Sequence, residues 1–155
     1  MTSKNPIINF IFLEPSWKKL SKTLKDDVRV ALETASDCLK KDFSRMEVSI
    51  VFSSNAEVQS LNKEFRKKNK PTNVLSFPSK ENEELGDIIL AYETILEEAH
   101  ASDILPLDHT LHLIIHGFLH LIGYDHEKED DAYHMEQLEI EILKQLNINN
   151  PYEDQ

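Results

Sequence analysis

Apolar positions along this chain fall into two rhythms, and the changes of rhythm mark the elements. Residues 7–13, IINFIFL, are a short apolar run stopped by Glu14-Pro15, which predicts a strand. From Trp17 onward Leu20, Leu24, Val28, Leu32, Ala35 and Leu39 recur every three or four residues, the spacing of an amphipathic helix. Residues 46–52 are β-branched and alternating enough for a second strand. Ser54 with Glu57 makes a capping-box pattern that opens a helix with Val58, Leu61 and Phe65 on its inner face. That helix ends in the basic run RKKNK (66–70) and Pro71.

Downstream, NVLSF (73–77) reads as a third strand closed by Pro78, SKENEELGD (79–87) as a solvated acidic loop, and DIILA (87–91) as a fourth strand. A short helix is expected over 94–100, and a strongly apolar one over 107–122, broken at Gly123. Met135, Leu138, Ile142 and Leu146 place a last helix over 131–146. No repeat, low-complexity tract or linker interrupts the series. The expectation is a single compact α+β domain spanning 1–155, with a small mixed sheet of about four strands packed with about five helices.

Composition narrows the function classes. A chain of 155 residues is long enough for a hydrophobic core. Its net charge of −11 argues against a whole-surface nucleic-acid binder, which needs clustered Lys and Arg, but leaves room for a local basic patch. The lone Cys38 has no internal disulfide partner, which favours a reducing compartment. Its place beside Leu39 on an apolar helical face suggests a small buried hydrophobe rather than a reactive thiol. The run at 7–13 is too short to span a bilayer and lacks a small-residue cleavage site. Cytoplasm is the expected location, with no membrane partner.

The chemistry concentrates in HGFLHLIGYDH, residues 116–126. His116 and His120 are four apart, so on a helix they share a face with Cβ atoms about 5–6 Å apart. Two imidazoles so placed can reach one ion, on the helix of the C-terminal half. Gly123 can end the helix in a left-handed turn and bring His126 round to the same side. Three histidines and a vacant fourth position describe a catalytic zinc site rather than a structural one. A single histidine would be read as a core or surface residue; three at this spacing on an apolar helix call for an ion, because buried polar groups need partners. His112, one turn before His116, could line the site or be a satisfied, partly buried histidine. For His100, His109 and His134 a solvated face is the expectation. Asp125, Glu127 and Asp130 are candidates to orient imidazole N–H groups, although Glu127 and Asp130 are better read as polar residues at a helix start.

Proteases with an H-E-x-x-H motif use the glutamate after the first histidine as general base. Here that position is Gly117, which cannot accept a proton. The chain offers instead LNKEFRKKNKPTNVLSFP (61–78), where Lys63, Arg66, Lys67, Lys68 and Lys70 put five of seventeen positive charges within eight residues. Such a patch suits phosphate, and arginine binds it in a two-pronged manner; the helix dipole alone would account for Lys67 and Lys68. On motif spacing alone a zinc metallopeptidase of the H-x-x-x-H-x-x-G-x-x-H type stays open, opposed by Gly117.

HGFLHLIGYDH together with FRKKNKPTNVLSFP, LGDIIL and the NPY at 150–152 resembles the YbeY family of bacterial metal-dependent endoribonucleases, in order over nearly the whole chain. The first helix and the 79–85 loop match poorly. The resemblance implies a single-strand endoribonuclease with one Zn2+ per chain, acting in rRNA maturation at the 3′ end of 16S rRNA and in ribosome quality control. A metal-dependent ribonuclease is therefore the first reading, a zinc metallopeptidase the runner-up and a largely non-catalytic ribosome assembly factor the third. It implies His116, His120 and His126 as zinc ligands and Arg66 as a functional arginine. As partners it implies single-stranded RNA and rRNA, the small ribosomal subunit and the GTPase Era, with no DNA.

Overall fold

The computed structural model describes residues 4–66, 72–125 and 128–152. Strands β1 (Ile7–Phe12), β2 (Glu47–Ser53), β3 (Val74–Pro78) and β4 (Glu84–Ala91) form one sheet in the order β1-β2-β4-β3. β1 is parallel to β2 and β2 to β4, while β3 runs antiparallel to β4 with Val74 opposite Leu90 and Pro78 opposite Gly86. The helices among the described residues are α1 (Trp17–Leu20), α2 (Leu24–Leu39), α3 (Asn55–Arg66), α4 (Tyr92–Ala101), α5 (Pro106–Leu121) and α6 (Glu129–Gln145). The chain is therefore an α+β domain on a mixed four-stranded sheet, as its pattern predicts.

The structure changes three expectations in detail. The helix expected from Trp17 onward is two helices, because Ser21 is extended, with φ −160° and ψ 137°. The Ser21 hydroxyl accepts the Thr23 backbone N–H at 3.2 Å, giving the backbone a local alternative to the helix ladder. Residues 84–86, expected only in a loop, belong to β4, where Glu84 and Gly86 pair with Glu47 and Val48 across the parallel ladder. Cys38 is half-buried rather than buried, and its sulfur accepts from Gln145 Nε2 at 3.1 Å. The cap of α3 holds in part: Ser54 Oγ accepts the Glu57 N–H at 3.3 Å, but the Glu57 carboxylate accepts from the Ser53 hydroxyl at 2.9 Å.

Side chains alternate across a strand, so the sheet has two unlike faces. On one, Val48, Ile50 and Phe52 of β2 and Ile88 and Leu90 of β4 meet the buried stripes of α2, α5 and α6 in the main core. Trp17 closes the upper end of this core, its indole N–H donating to the Ser53 carbonyl at 2.9 Å. On the other face Leu75, Ile89 and Ala91 meet Val58 and Leu61 of α3 in a smaller cluster. α3 and α5 thus lie in different layers, with the edge strand β3 between them. No helix among the described residues is long and apolar enough to cross a membrane.

Candidate metal centre

α5 is buried along most of its length, and Pro106 opens it at a position where a missing backbone N–H costs nothing. Its apolar residues face the sheet and α2. Its histidines form the remaining stripe, with half-buried His109, His112, His116 and His120 following at three- or four-residue steps. The His116 and His120 rings are 4.6 Å apart between centroids and nearly perpendicular, at 82°. This is the shared face that the four-residue spacing predicts.

Gly123 ends α5 as expected. With φ +108° it occupies the left-handed region. The Tyr124 N–H reaches the Leu119 carbonyl at 3.0 Å and the Gly123 N–H reaches that of His120 at 3.1 Å. These are the two bonds of a Schellman cap, which reverses the chain directly after the histidine helix. An added Cβ at Gly123 would meet nothing within 4 Å, so conformation and not crowding explains the glycine. His126 and Glu127 follow this turn but lie outside the described residues.

At Gly117 crowding is the reason. A Cβ there would lie 2.9 Å from Ser76 Oγ and 3.1 Å from Ile88 Cγ2. The position faces β3 and β4, so a glutamate side chain here would start against the sheet.

A carboxylate that the sequence reading passed over organises the stripe. Glu139 of α6 is fully buried, and its Oε1 accepts from His116 Nδ1 at 3.1 Å and from His112 Nε2 at 2.9 Å. The Tyr152 hydroxyl reaches both of its oxygens at 3.0 Å. Burial alone would push the Glu139 carboxyl up, but the two histidine donors and their charge outweigh it and hold the group at about 2. Burial and the adjacent Glu139 charge push Tyr152 far up, so its hydroxyl keeps its proton. At His116 the orienting carboxylate is Glu139; Asp125 and Asp130 are both exposed, and Asp130 sits in the acidic first turn of α6. His112 is satisfied and partly buried. His109 is not on a solvated face: its Nε2 pairs with Glu98 at 2.9 Å and its side chain is 13% exposed. His100 and His134 are exposed, as expected.

The donor set fits an ion. A carboxylate can only accept, so His116 donates through Nδ1, and in the neutral ring its Nε2 then carries the lone pair a metal needs. Nitrogen donors of this kind suit zinc. Arg66 is the last residue of α3, on the sheet face opposite α5; its side chain, and Lys67, Lys68 and Lys70, lie outside the described residues.

Comparison with known proteins identifies the family. The family model for Endoribonuclease YbeY matches residues 12–147. An Endoribonuclease YbeY of Bartonella bacilliformis is 50% identical over 113 residues, covering 68% of this chain and 72% of the relative. One from Bradyrhizobium diazoefficiens is 44% identical over 138 residues, covering 82% and 75%. The solution structure of a Thermotoga maritima protein, TM1509, superposes with a TM-score of 0.58 at 28% identity, over 96% of this chain and 97% of that one. The family model spans most of the sequence and these relatives match it at 44–50% identity, so the chain belongs to the YbeY family of endoribonucleases.

Proposed function

We propose that this protein is a zinc-dependent endoribonuclease that cuts single-stranded RNA during rRNA maturation. The observation that carries the reading is the His116–His120 pair on one face of a buried helix, with a fully buried carboxylate fixing His116 through Nδ1. His116, His120 and His126 hold one ion per chain. Bound there, it supplies Lewis acidity toward a phosphate oxygen.

The chain's own residues supply the rest. Arg66 grips a phosphate with its planar fork and neutralises charge as the phosphodiester is attacked. Because α3 and α5 occupy opposite faces, an RNA strand engaging both lies across the open edge of β3. The substrate is ribosomal, at the 3′ end of 16S rRNA, and the partners are the small ribosomal subunit and the GTPase Era, in the cytoplasm. The packing of Gly117 speaks against the peptidase reading, since a side chain at the position of that motif's general base would crowd Ser76 and Ile88.

Incubation of zinc-loaded protein with single-stranded RNA and with casein tests the choice. Cleavage of RNA and not casein is expected, and loss of cleavage in Arg66→Ala. Casein cleavage would overturn the proposal in favour of a peptidase, and RNA binding without cleavage in favour of an assembly factor.

A further inference from the structure

The residues that follow α6 return to the centre of the site by a route the backbone specifies. Asn147 takes the left-handed conformation, with φ 61°. Around it the Ile148 N–H bonds the Leu143 carbonyl at 2.9 Å and the Asn147 N–H bonds that of Lys144 at 3.0 Å, a second Schellman cap. Ile148 packs against the main core, and Asn150 Oδ1 accepts the Tyr152 N–H at 2.8 Å, tightening a turn through Pro151. The side chain of Tyr152 then stands edge-on to His112, at 5.6 Å between ring centroids, with its hydroxyl across both oxygens of Glu139.

We propose that Glu139 is a positioning residue for the metal ligand His116, and that the tail 147–152 is a strap whose Tyr152 hydroxyl fixes the Glu139 carboxylate in place. Three donors converge on one carboxylate, which leaves it a single orientation. The carboxylate in turn sets the rotation of the His116 ring and keeps the proton on Nδ1. An anionic acceptor at Nδ1 also makes the opposite nitrogen a stronger donor to a cation. The strap explains why a tyrosine with a partly exposed ring sends its hydroxyl to a fully buried acid.

This inference rests on the reading of His116 as a ligand, so the experiment carries His116→Ala as its reference. Zinc affinity is measured on the full chain by chelator competition for wild type, Glu139→Gln, Tyr152→Phe and His116→Ala. The imidazole N–H protons are followed by NMR in the loaded proteins. Glu139→Gln should weaken zinc binding about 10- to 100-fold, and its His116 Nδ1–H resonance should move upfield and lose protection from exchange. Tyr152→Phe should weaken it about 3- to 10-fold, since the hydroxyl is one link further from the ion. If His116→Ala loses the ion while both other variants stay within about twofold of wild type, the positioning role is refuted and the metal reading stands. If His116→Ala keeps the ion, the metal reading falls and the inference with it. If Glu139→Gln does not fold, Tyr152→Phe decides; if Tyr152→Phe alone is unchanged, the strap is refuted.

Discussion

Replacing Gly117 by glutamate would restore the protease motif on paper, and the packing indicates what it would do to the protein. The first added atom lies 2.9 Å from Ser76 Oγ and 3.1 and 3.3 Å from two carbons of Ile88. Gly117→Ala isolates that contact. Alanine is a better helix former by about 1 kcal/mol, while forcing an extra carbon into a packed layer costs about 1–3 kcal/mol. The net expectation is a loss of about 0–2 kcal/mol. Gly117→Glu adds a charge with no partner on the face of α5 that meets the sheet, at a further cost of several kcal/mol. A total above about 4 kcal/mol would take a large share of an ordinary domain's stability of about 5–15 kcal/mol. Urea unfolding of the two variants and the wild type measures both steps, and casein digestion is run alongside. Ser76→Ala should make Gly117→Ala less damaging than it is alone, because it removes the nearest atom. Two results would refute the reasoning: Gly117→Ala more stable than wild type by the full helix-propensity gain, or Gly117→Glu folded at wild-type stability. Casein cleavage by the second variant would also undo the argument that this position cannot serve the metal.

Alanine at His116, His120 or His126 should reduce the zinc content of purified protein from about one ion per chain to near zero, as elemental analysis would show; stoichiometric zinc in the triple variant would reject the ligand set. Arg66→Ala should abolish RNA cleavage with zinc content and melting temperature near wild type, and Arg66→Lys should restore only part of it, since lysine keeps the charge but not the fork. A wild-type cleavage rate for Arg66→Ala would remove the arginine from the mechanism. Glu139 gives chelator-stripped protein an acid limb: its carboxyl lies at about 2 in the fold against an ordinary 4.5. Its contribution, on the order of 3 kcal/mol, is fully present above about pH 4.5 and lost as pH falls toward 2. Urea midpoints across that window should fall less steeply in Glu139→Gln, and equal slopes would contradict the assignment.

What could be read along the chain and what could not divide along a physical line. The strands, the histidine face and the turn at Gly123 depend on local periodicity and on the conformations single residues permit. They were legible for that reason. The break at Ser21 was not, because the apolar repeat from Trp17 to Leu39 runs through it and the competing hydrogen bonds depend on hydroxyls that are unremarkable in sequence. The separation of α3 from α5 was also hidden, because a helix pattern gives an inner face without saying which side of the sheet it meets. The sequence could therefore not show that Arg66 ends a helix in the layer opposite the histidine helix.

Glu139 is the instructive case. It lies one turn after Met135 and three residues before Ile142, inside the buried stripe of α6, so a carboxylate occupies a position where the helical repeat calls for an apolar residue. A buried acid requires donors, and its own neighbours on the stripe have none to offer. That mismatch was visible, but its meaning was not, since the donors sit 27 and 23 residues earlier on α5 and 13 residues later in the tail. An acid set into an apolar stripe marks where a helix meets polar chemistry belonging to another element. Here the chemistry is the histidine face, and α6 contributes to the site through one residue that departs from its own pattern.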